Sequence, residues 1–310
     1  MEINKIYQEP CLDTLRKMPD GFIDCVITSP PYWQLRDYGY PEQWGLEPTF
    51  QEYLEHLWEM MVEIYRVLKP EGTVWINLGD TYSGSGGSGG DYNKGGLRDG
   101  QPMIRPPKQK LKKCLLLIPH RFAIGCIDRG WIIRNDIIWA KRNGMPESTT
   151  DRFAKKHEYI FFMVKQEKYY FDLDSIRDKH KWAHDKRNDG KRHEYEEGVK
   201  SQNNKWLSAN AVSFSPNGKN PGSVSDFWDV TTKGSSSEHY AAYNDELIKK
   251  PILAGCPEGG IIYDPFMGTG STAEAALRAN RNFIGSEMGK KYCKIAEERL
   301  NPFLIQQKLF

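Results

Sequence analysis

The sequence predicts an α/β fold in which a mostly parallel sheet is flanked by helices and a small lobe is inserted. Strand-like apolar runs alternate with helical periodicity over residues 1–171, and a strand, turn, helix and strand recur within 237–310. Two of these strands end in loops rich in Pro or Gly, at residues 28–33 and 264–272. Because ligands bind at the carboxyl ends of parallel strands, both loops are candidate parts of a functional site.

The individual elements follow from the period of the apolar residues and from the turn residues between them. Strands are predicted near 22–28, 73–78, 131–140, 157–164, 261–263 and 282–287, and helices near 49–68, 115–129 and 273–279. Residues 172–236 are polar and poorly periodic, which is typical of a small irregular lobe.

The first loop combines a stiff backbone with polar and aromatic side chains. Residues 28–33 read Thr-Ser-Pro-Pro-Tyr-Trp. The two prolines fix φ and remove two backbone donors. A hydroxyl on one side and two aromatic rings on the other predict a slot for a flat ring that carries an amino group. The alternative is a Pro-rich turn that simply ends a strand.

The second loop predicts a nucleoside site. Residues 264–272 read Asp-Pro-Phe-Met-Gly-Thr-Gly-Ser-Thr, and Gly268 and Gly270 permit a sharp turn that a ligand can approach closely. The sequence lacks both the Gly-Lys-Ser/Thr of a phosphate loop and the three spaced glycines of a dinucleotide site. Glu287 ends the next strand, where an acidic side chain holds ribose hydroxyls. A nucleoside without a pyrophosphate fits this pattern best; a charge at a surface helix start is the alternative for Glu287.

Together the two motifs resemble the amino-group DNA methyltransferases that use S-adenosylmethionine. The Ser-Pro-Pro-Tyr loop comes before the glycine loop, which resembles the permuted β group of that family. Residues 65–72, 134–141, 156–162 and 239–243 are also similar to family segments. The resemblance covers most of 1–170 and 237–300.

The resemblance implies a Rossmann-like S-adenosylmethionine-dependent methyltransferase fold. Residues 1–171 and 237–310 would form the catalytic and cofactor-binding parts of one core, and residues 172–236 the target-recognition region. Residues 80–110, with a Gly/Ser run at 83–90, would be a flexible loop, either a flap over DNA or a disordered insertion.

The roles of individual residues follow from this resemblance. Ser29 Oγ and the Pro30 carbonyl would accept hydrogen bonds from an exocyclic amino group, Pro31 would stiffen the loop, and Tyr32 would stack on the flipped base. Trp33 would form a second wall or contact DNA. The residues expected to hold the cofactor are Asp264, Pro265, Phe266, Gly268, Thr269, Gly270, Thr272, Glu287 and His239. We expect no cysteine nucleophile and no metal.

The residue before the prolines bears on the choice of base. In this family Asp or Asn at that position usually accompanies adenine, and Ser more often accompanies cytosine. Ser29 therefore predicts methylation of cytosine N4, with adenine N6 as the alternative.

Two departures from the family pattern leave details open. Glu9 and Pro10 stand where the family usually has Gly-Asp, so the contact to the cofactor adenine falls to Asp13, to Glu9 or to backbone. The segment before the glycine loop has Tyr240 and Asn244 where prolines are usual.

Composition agrees with a cytoplasmic protein. The 310 residues contain no apolar run of membrane-spanning length and no signal-peptide pattern at the start. The six cysteines show no Cys-x-x-Cys spacing and predict reduced thiols. The net charge of +2 is too small to indicate nucleic-acid binding by itself.

Two basic runs, at 105–113 and 177–193, are candidate phosphate-binding segments. The residues predicted to contact DNA are Lys110, Lys112, Lys113, Lys181, Trp182, Lys186 and Arg187. A solvated surface is the alternative for the cations, and anchoring of the lobe is the alternative for Trp182.

The sequence thus predicts a site-specific methyltransferase that acts on double-stranded DNA, with a cognate restriction endonuclease as a further partner. Three rival hypotheses differ in class: a methyltransferase of RNA or of protein glutamine, a DNA-binding module without catalysis, and a cofactor-binding regulator. The first usually keeps its cofactor loop first, the second would tolerate loss of Ser29 or Tyr32, and the third would lack the polar insertion.

Overall fold

The protein is built around one eight-stranded sheet. The structure is a computed structural model, and it describes residues 1–83, 112–144, 149–177, 226–231 and 245–307. The strands are β1 (Lys5–Tyr7), β2 (Ile23–Thr28), β3 (Leu68–Leu78), β4 (Ile132–Ala140), β5 (His157–Val164), β6 (Phe227–Asp229), β7 (Ile261–Asp264) and β8 (Asn282–Ser286). The helices are α1 (Cys11–Lys17), α2 (Phe50–Val67), α3 (Ile118–Ile127), α4 (Asp245–Gly255), α5 (Ser271–Arg278) and α6 (Lys290–Gln307).

The sheet order is β1-β8-β7-β2-β3-β5-β4-β6. Strands that follow one another in the chain are added to one side of the sheet after β2 and to the opposite side after β7. The chain passes from β2 to β3 on one side and from β7 to β8 on the other. All pairs are parallel except those that β5 makes with β3 and β4. The reversal places the loops that follow β2 and β7 side by side, at the kind of crevice where open α/β sheets bind ligands.

Helices cover both faces of the sheet, as the alternation of residues in β2 requires. Val26 belongs to a core that includes α2 and α3, whereas Cys25 and Ile27 belong to a core that includes α4, α5 and α6. Successive side chains of a strand point to opposite faces, so a strand covered on both sides is apolar throughout. This explains why β2 is apolar on both of its faces, at Ile23, Cys25, Val26 and Ile27.

The amino ends of the central strands are tied by a buried carboxylate. Asp24 of β2 is 8% exposed, accepts a hydrogen bond from the Ile261 amide of β7 (2.8 Å) and pairs with Lys69 of β3 (2.7 Å). These contacts set the relative heights of β2, β3 and β7, and therefore the heights at which their carboxyl ends emerge.

The predicted α/β class and its mostly parallel sheet are confirmed. The bounds of predicted strands and helices agree with the observed ones to within a few residues, apart from β3, which begins at Leu68 rather than near 73. The short strands β1 and β6 were not predicted. The expected lobe, residues 172–236, extended too far, because β6 (Phe227–Asp229) pairs with β4 as an edge strand of the core sheet.

The chain divides into two units, residues 1–172 with 226–310 and residues 173–225. The smaller unit has a short 3-10 helix, Asp174–Ile176, and its residues 178–225 lie outside the described structure. Its predicted role in target recognition stays a prediction. Among the helices that the structure describes, none has the length and hydropathy needed to cross a bilayer.

Candidate active site at the carboxyl edge of the sheet

Two of the predicted site segments meet at a buried carboxylate, Asp264, the last residue of β7. Its Oδ1 accepts hydrogen bonds from Thr28 Oγ1 (2.6 Å) and the Phe266 amide (3.0 Å), and its Oδ2 accepts one from Thr272 Oγ1 (2.6 Å). Thr28 immediately precedes the Ser-Pro-Pro-Tyr loop, and Thr272 lies in the first turn of α5. One side chain therefore joins the first loop, the second loop and the helix behind it.

Burial makes this carboxylate unusual. Asp264 is 1% exposed, and desolvation raises its pKa to about 6 although the bonds from Thr272, Thr28 and Phe266 act in the opposite direction. Thr272 is also 1% exposed. Both side chains are thus used inside the protein, which corrects the prediction that they contact the cofactor: they position the loop that would do so.

The glycine turn adopts the backbone that its sequence demands. Gly268 and Gly270 have φ of 53° and 82°, the left-handed region that disfavours other residues. A Cβ at Gly270 would approach Ala296 of α6 to 3.0 Å, so this glycine also permits close helix packing. The turn and the start of α5 are thereby held tightly against α6.

Arg299 is a site residue that the sequence did not reveal. From α6 its guanidinium donates to the Thr269 carbonyl (3.1 Å) and to Ser271 Oγ (2.8 Å), bracketing the second glycine. It also pairs with Glu274 of α5 (3.2 Å). An isolated Arg on a surface helix has no sequence signature that distinguishes such a role from ordinary solvation.

Glu287 lies where the sequence predicted, directly after β8 and against the glycine turn. Its Oε2 accepts a hydrogen bond from the Gly268 amide (2.9 Å), and its Oε1 accepts one from the Gly289 amide (2.7 Å). Burial raises the pKa of this carboxyl, and the two amide bonds oppose that effect. Each carboxylate oxygen has a second lone pair, so both can still accept a hydrogen bond from a ligand hydroxyl.

Aromatic side chains from the segment after Tyr32 approach the same turn. Trp44 meets the half-buried ring of Phe266 edge-on at 5.5 Å and stacks on His56 at 5.4 Å. Tyr38 packs edge-on against Tyr292 at 6.3 Å. These residues were not predicted, because a loop of mixed aromatic and polar residues has no period that identifies its packing face.

Tyr32 is held by a polar network from two neighbouring strands. Its hydroxyl accepts a hydrogen bond from Asn77 Nδ2 of β3 (2.8 Å) and donates to Glu158 Oε2 of β5 (2.6 Å). The other carboxylate oxygen of Glu158 pairs with Lys141, which follows β4. Ser29 Oγ lies 3.4 Å from the Tyr32 hydroxyl. The network brings together residues that are more than a hundred positions apart.

The ring of Tyr32 lies against Gly79, the residue after β3. A Cβ on Gly79 would lie 2.4 Å from Tyr32 Cε2, closer than packing allows. The preceding residue of the loop, Pro31, has its carbonyl oxygen bonded by the hydroxyl of the buried Tyr53 (2.8 Å). The Ser-Pro-Pro-Tyr loop is therefore anchored from both sides.

The structure corrects the role predicted for Trp33. Its indole is 2% exposed, donates to the Glu47 carbonyl (3.0 Å) and packs edge-on against Phe50 at 6.1 Å. A side chain buried in this way contacts neither a base nor DNA. Trp33 instead anchors the loop to the core beneath it.

The remaining predicted residues divide between described and undescribed parts of the chain. Pro265 is buried and Thr269 half-buried in the glycine loop, and Lys112 and Lys113 are exposed, with Lys113 paired to Asp151. Glu9 accepts a hydrogen bond from Thr14 Oγ1 (3.0 Å). Residues outside the described structure are Lys110, Lys181, Trp182, Lys186, Arg187, His239 and nearly all of loop 80–110.

Burial raises the pKa of Cys11 to about 12 and that of Cys293 to about 11, so both are protonated thiols at neutral pH. Within the described ranges, no three His, Cys, Asp or Glu side chains are grouped closely enough to hold a metal ion.

The family model described as DNA methylase, the N6/N4 methyltransferases, matches residues 23–298, which include both loops. The chain belongs to this DNA methyltransferase family. It is 34% identical to the Type II methyltransferase M.Cfr9I of Citrobacter freundii over 305 residues, covering 97% of this chain and 89% of that protein. It is 33% identical to the Type II methyltransferase M.SmaI of Serratia marcescens over 300 residues, covering 96% of this chain and 90% of that protein.

Solved structures show the same fold for this N6/N4 methyltransferase. PvuII DNA methyltransferase (cytosine-N4-specific) aligns with a TM-score of 0.62 at 16% identity, covering 98% of this chain and 92% of its own. A putative DNA modification methylase from Thermus thermophilus, complexed with S-adenosyl-L-methionine, aligns with a TM-score of 0.57 at 21% identity, covering 96% and 95%. The Rossmann-like methyltransferase fold expected from the motifs is thus confirmed.

The raised pKa of Asp264 predicts a specific pH dependence of stability. In the unfolded chain this carboxyl ionises near its ordinary value of 3.8, whereas in the folded protein it stays protonated up to about pH 6. The folded state therefore binds more protons between these values, and the wild type loses stability as pH rises from about 4 to 6. Asp264→Asn removes this loss, which is on the order of 2–3 kcal/mol.

Urea unfolding of both proteins from pH 4.5 to 7 measures the effect. The difference in free energy of unfolding should shift in favour of the Asn variant as pH rises and level off above pH 6. Asp20→Asn, which removes a carboxylate that is 80% exposed, is the matched control. A difference between wild type and Asp264→Asn that stays constant with pH would contradict the prediction.

Proposed function

We propose that this enzyme transfers the methyl group of S-adenosylmethionine to the N4 amino group of a cytosine flipped out of duplex DNA. Methylation of adenine N6 is the alternative. The observation that carries the proposal is the convergence of Thr28 and Thr272 on Asp264. Through these contacts Asp264 holds the loop proposed to bind the amino group next to the turn proposed to bind the nucleoside. A direct transfer between two bound molecules requires such an arrangement.

The cofactor is S-adenosylmethionine, which supplies a methyl group on a positively charged sulfur. The residues present suit it. Glu287 offers both carboxylate oxygens to two ribose hydroxyls, and a Cβ built on Gly268 would meet no neighbouring atom closer than the Phe266 carbonyl oxygen at 4.0 Å. This open side of the turn, with the Phe266 ring beside it, accommodates a nucleoside. We assign His239 to the same site from the family resemblance.

The amino group of the base needs activation, because its lone pair is conjugated with the ring. Ser29 Oγ and the Pro30 carbonyl would accept its two N–H bonds and favour tetrahedral geometry, which localises the lone pair on nitrogen. The bound cofactor would supply the methyl group in line with this lone pair, with the sulfur as leaving group, and the surplus amino proton would leave to solvent. Tyr32 would hold the ring plane. Positioning and electrostatics supply the catalysis.

The target base must leave the helix, because its amino group is paired inside the duplex. The network of Asn77, Glu158 and Lys141 fixes the Tyr32 hydroxyl, and Gly79 lies against the Cδ2–Cε2 side of the ring. A face of the ring held in this way is our candidate platform for the flipped base.

Three further assignments rest on the resemblance and on the relatives. Lys112 and Lys113, with Lys110, Lys181, Trp182, Lys186 and Arg187, are proposed DNA contacts. The Type II methyltransferases among the relatives favour a cognate restriction endonuclease as a biological partner. Such a pair acts on cellular DNA, which supports a cytoplasmic location as part of the proposal.

The product identifies the reaction. The protein is incubated with a randomised duplex library and isotopically labelled S-adenosylmethionine, and the DNA is digested to nucleosides for mass spectrometry. We expect labelled 4-methylcytosine. Labelled 6-methyladenine would contradict the base assignment and keep the enzyme class, and label only in a parallel RNA sample would contradict DNA as the substrate.

Ser29→Ala should lower turnover about 100-fold, the scale at which loss of one preorganised hydrogen-bonding group acts in a transition state. The cofactor contacts lie on other loops, so cofactor affinity measured by calorimetry should stay within about twofold of wild type. A variant that retains full turnover would show that Ser29 Oγ is not an acceptor for the amino group.

Gly79→Ala tests the position of the Tyr32 ring. The new methyl group would overlap Cε2, so the ring must move, and turnover should fall at least about tenfold. Tyr32→Phe keeps the ring in place and should lose less, although it removes the bonds to Asn77 and Glu158. Thermal unfolding of both variants controls for structural damage. Equal losses in the two variants would argue against a positional role of the ring.

A further inference from the structure

The segment that leads into β5 carries an unusually exposed aromatic residue. Phe153 is 97% exposed, whereas the other exposed large apolar side chains in the described residues range from 37% to 59%. Isolated apolar side chains are common on surfaces, but a fully uncovered phenylalanine keeps its whole ring in water. Its position in the fold indicates what could cover it.

Phe153 lies at the edge of the sheet that carries the candidate active site. β5 is antiparallel to β3, with Tyr159 opposite Leu78, so the residues before β5 emerge beside the carboxyl end of β3. Glu158, which accepts a hydrogen bond from the Tyr32 hydroxyl, lies five positions after Phe153. A chain of five residues reaches at most about 18 Å. Phe153 therefore lies within about 18 Å of the network that holds Tyr32, at the same edge of the sheet.

Residues on both sides of Phe153 contact other parts of the chain. Lys155 Nζ donates to the Asp80 carbonyl (3.0 Å), and the Lys156 carbonyl accepts from the Lys141 amide (2.8 Å). The guanidinium of Arg152 lies 3.9 Å from the centroid of the Tyr82 ring. An exposed ring on a tethered segment loses little conformational freedom when it binds.

The charges around Phe153 are mostly positive. Arg152, Lys155 and Lys156 flank it in sequence, and Asp151, the acidic neighbour, pairs with the exposed Lys113. Cationic residues next in sequence to an exposed apolar ring complement duplex DNA, in which phosphates border stacked bases.

We propose that Phe153 is an apolar wedge that enters the duplex at the target position. It fills the space that the flipped base leaves and covers the exposed faces of the neighbouring bases, while Arg152 and Lys156 contact the bordering phosphates. Apolar side chains inserted between base steps offset the cost of unstacking in other DNA-binding proteins. The proposal rests on the proposed action on a flipped base in duplex DNA.

The test compares matched and mismatched duplexes. The target site is the sequence that the wild type labels in the randomised library, and the second duplex carries a mismatch opposite the target base, which lowers the cost of flipping. We expect Phe153→Ala to lower kcat/KM at least about tenfold on the matched duplex and at most about twofold on the mismatched one. Phe153→Leu, which keeps an apolar wedge, should stay within about threefold of wild type on both.

Phe171→Ala is the matched control, because Phe171 is 40% exposed and follows Tyr170, whose amide bonds to Glu71 near the other end of β3. Phe171→Ala should leave kcat/KM unchanged on both the matched and the mismatched duplex. Equal losses of Phe153→Ala on the two duplexes, no loss on either, or a lowered unfolding midpoint of that variant would each overturn the wedge. Absence of label with the wild type would instead count against the proposed function, and labelled adenine would leave the wedge testable at that base.

Discussion

Three hydrogen bonds converge on the Asp264 carboxylate, and the geometry of the candidate site depends on them. Thr28 brings the start of the first loop, the Phe266 amide brings the glycine turn, and Thr272 brings the helix behind it. The group is sealed from solvent, so these bonds form in a medium where each is strong and where an unpaired charge would be costly. Loss of this group would release two loops at once.

The topology makes this junction possible. β2 and β7 are neighbours only because the sheet order reverses between them, and their amino ends are tied by Asp24 in the same way that their carboxyl ends are tied by Asp264. A strand pair clamped at both ends cannot slide, so its two loops keep a constant separation. A direct methyl transfer depends on such a separation, since small errors in alignment cost large factors in rate.

Polar anchoring recurs beyond the junction. Arg299 holds the glycine turn from outside, and Glu158 with Asn77 holds Tyr32 from the neighbouring strands. The same strand end leads to Phe153, so the proposed wedge and the proposed base platform lie at one edge of the sheet.

The sequence by itself determined the α/β class, most of the described strands, half of the described helices, both loops and the placement of Glu287, because strand periods, prolines and glycines act locally. Only the tertiary structure decided which side chains face the site. Asp264 and Thr272 are turned inward to each other, Trp33 is buried beneath its loop, and Arg299 reaches the turn from a distant helix. Burial and long-range hydrogen bonds depend on how strands are ordered in the sheet, and no local pattern of residues encodes that order.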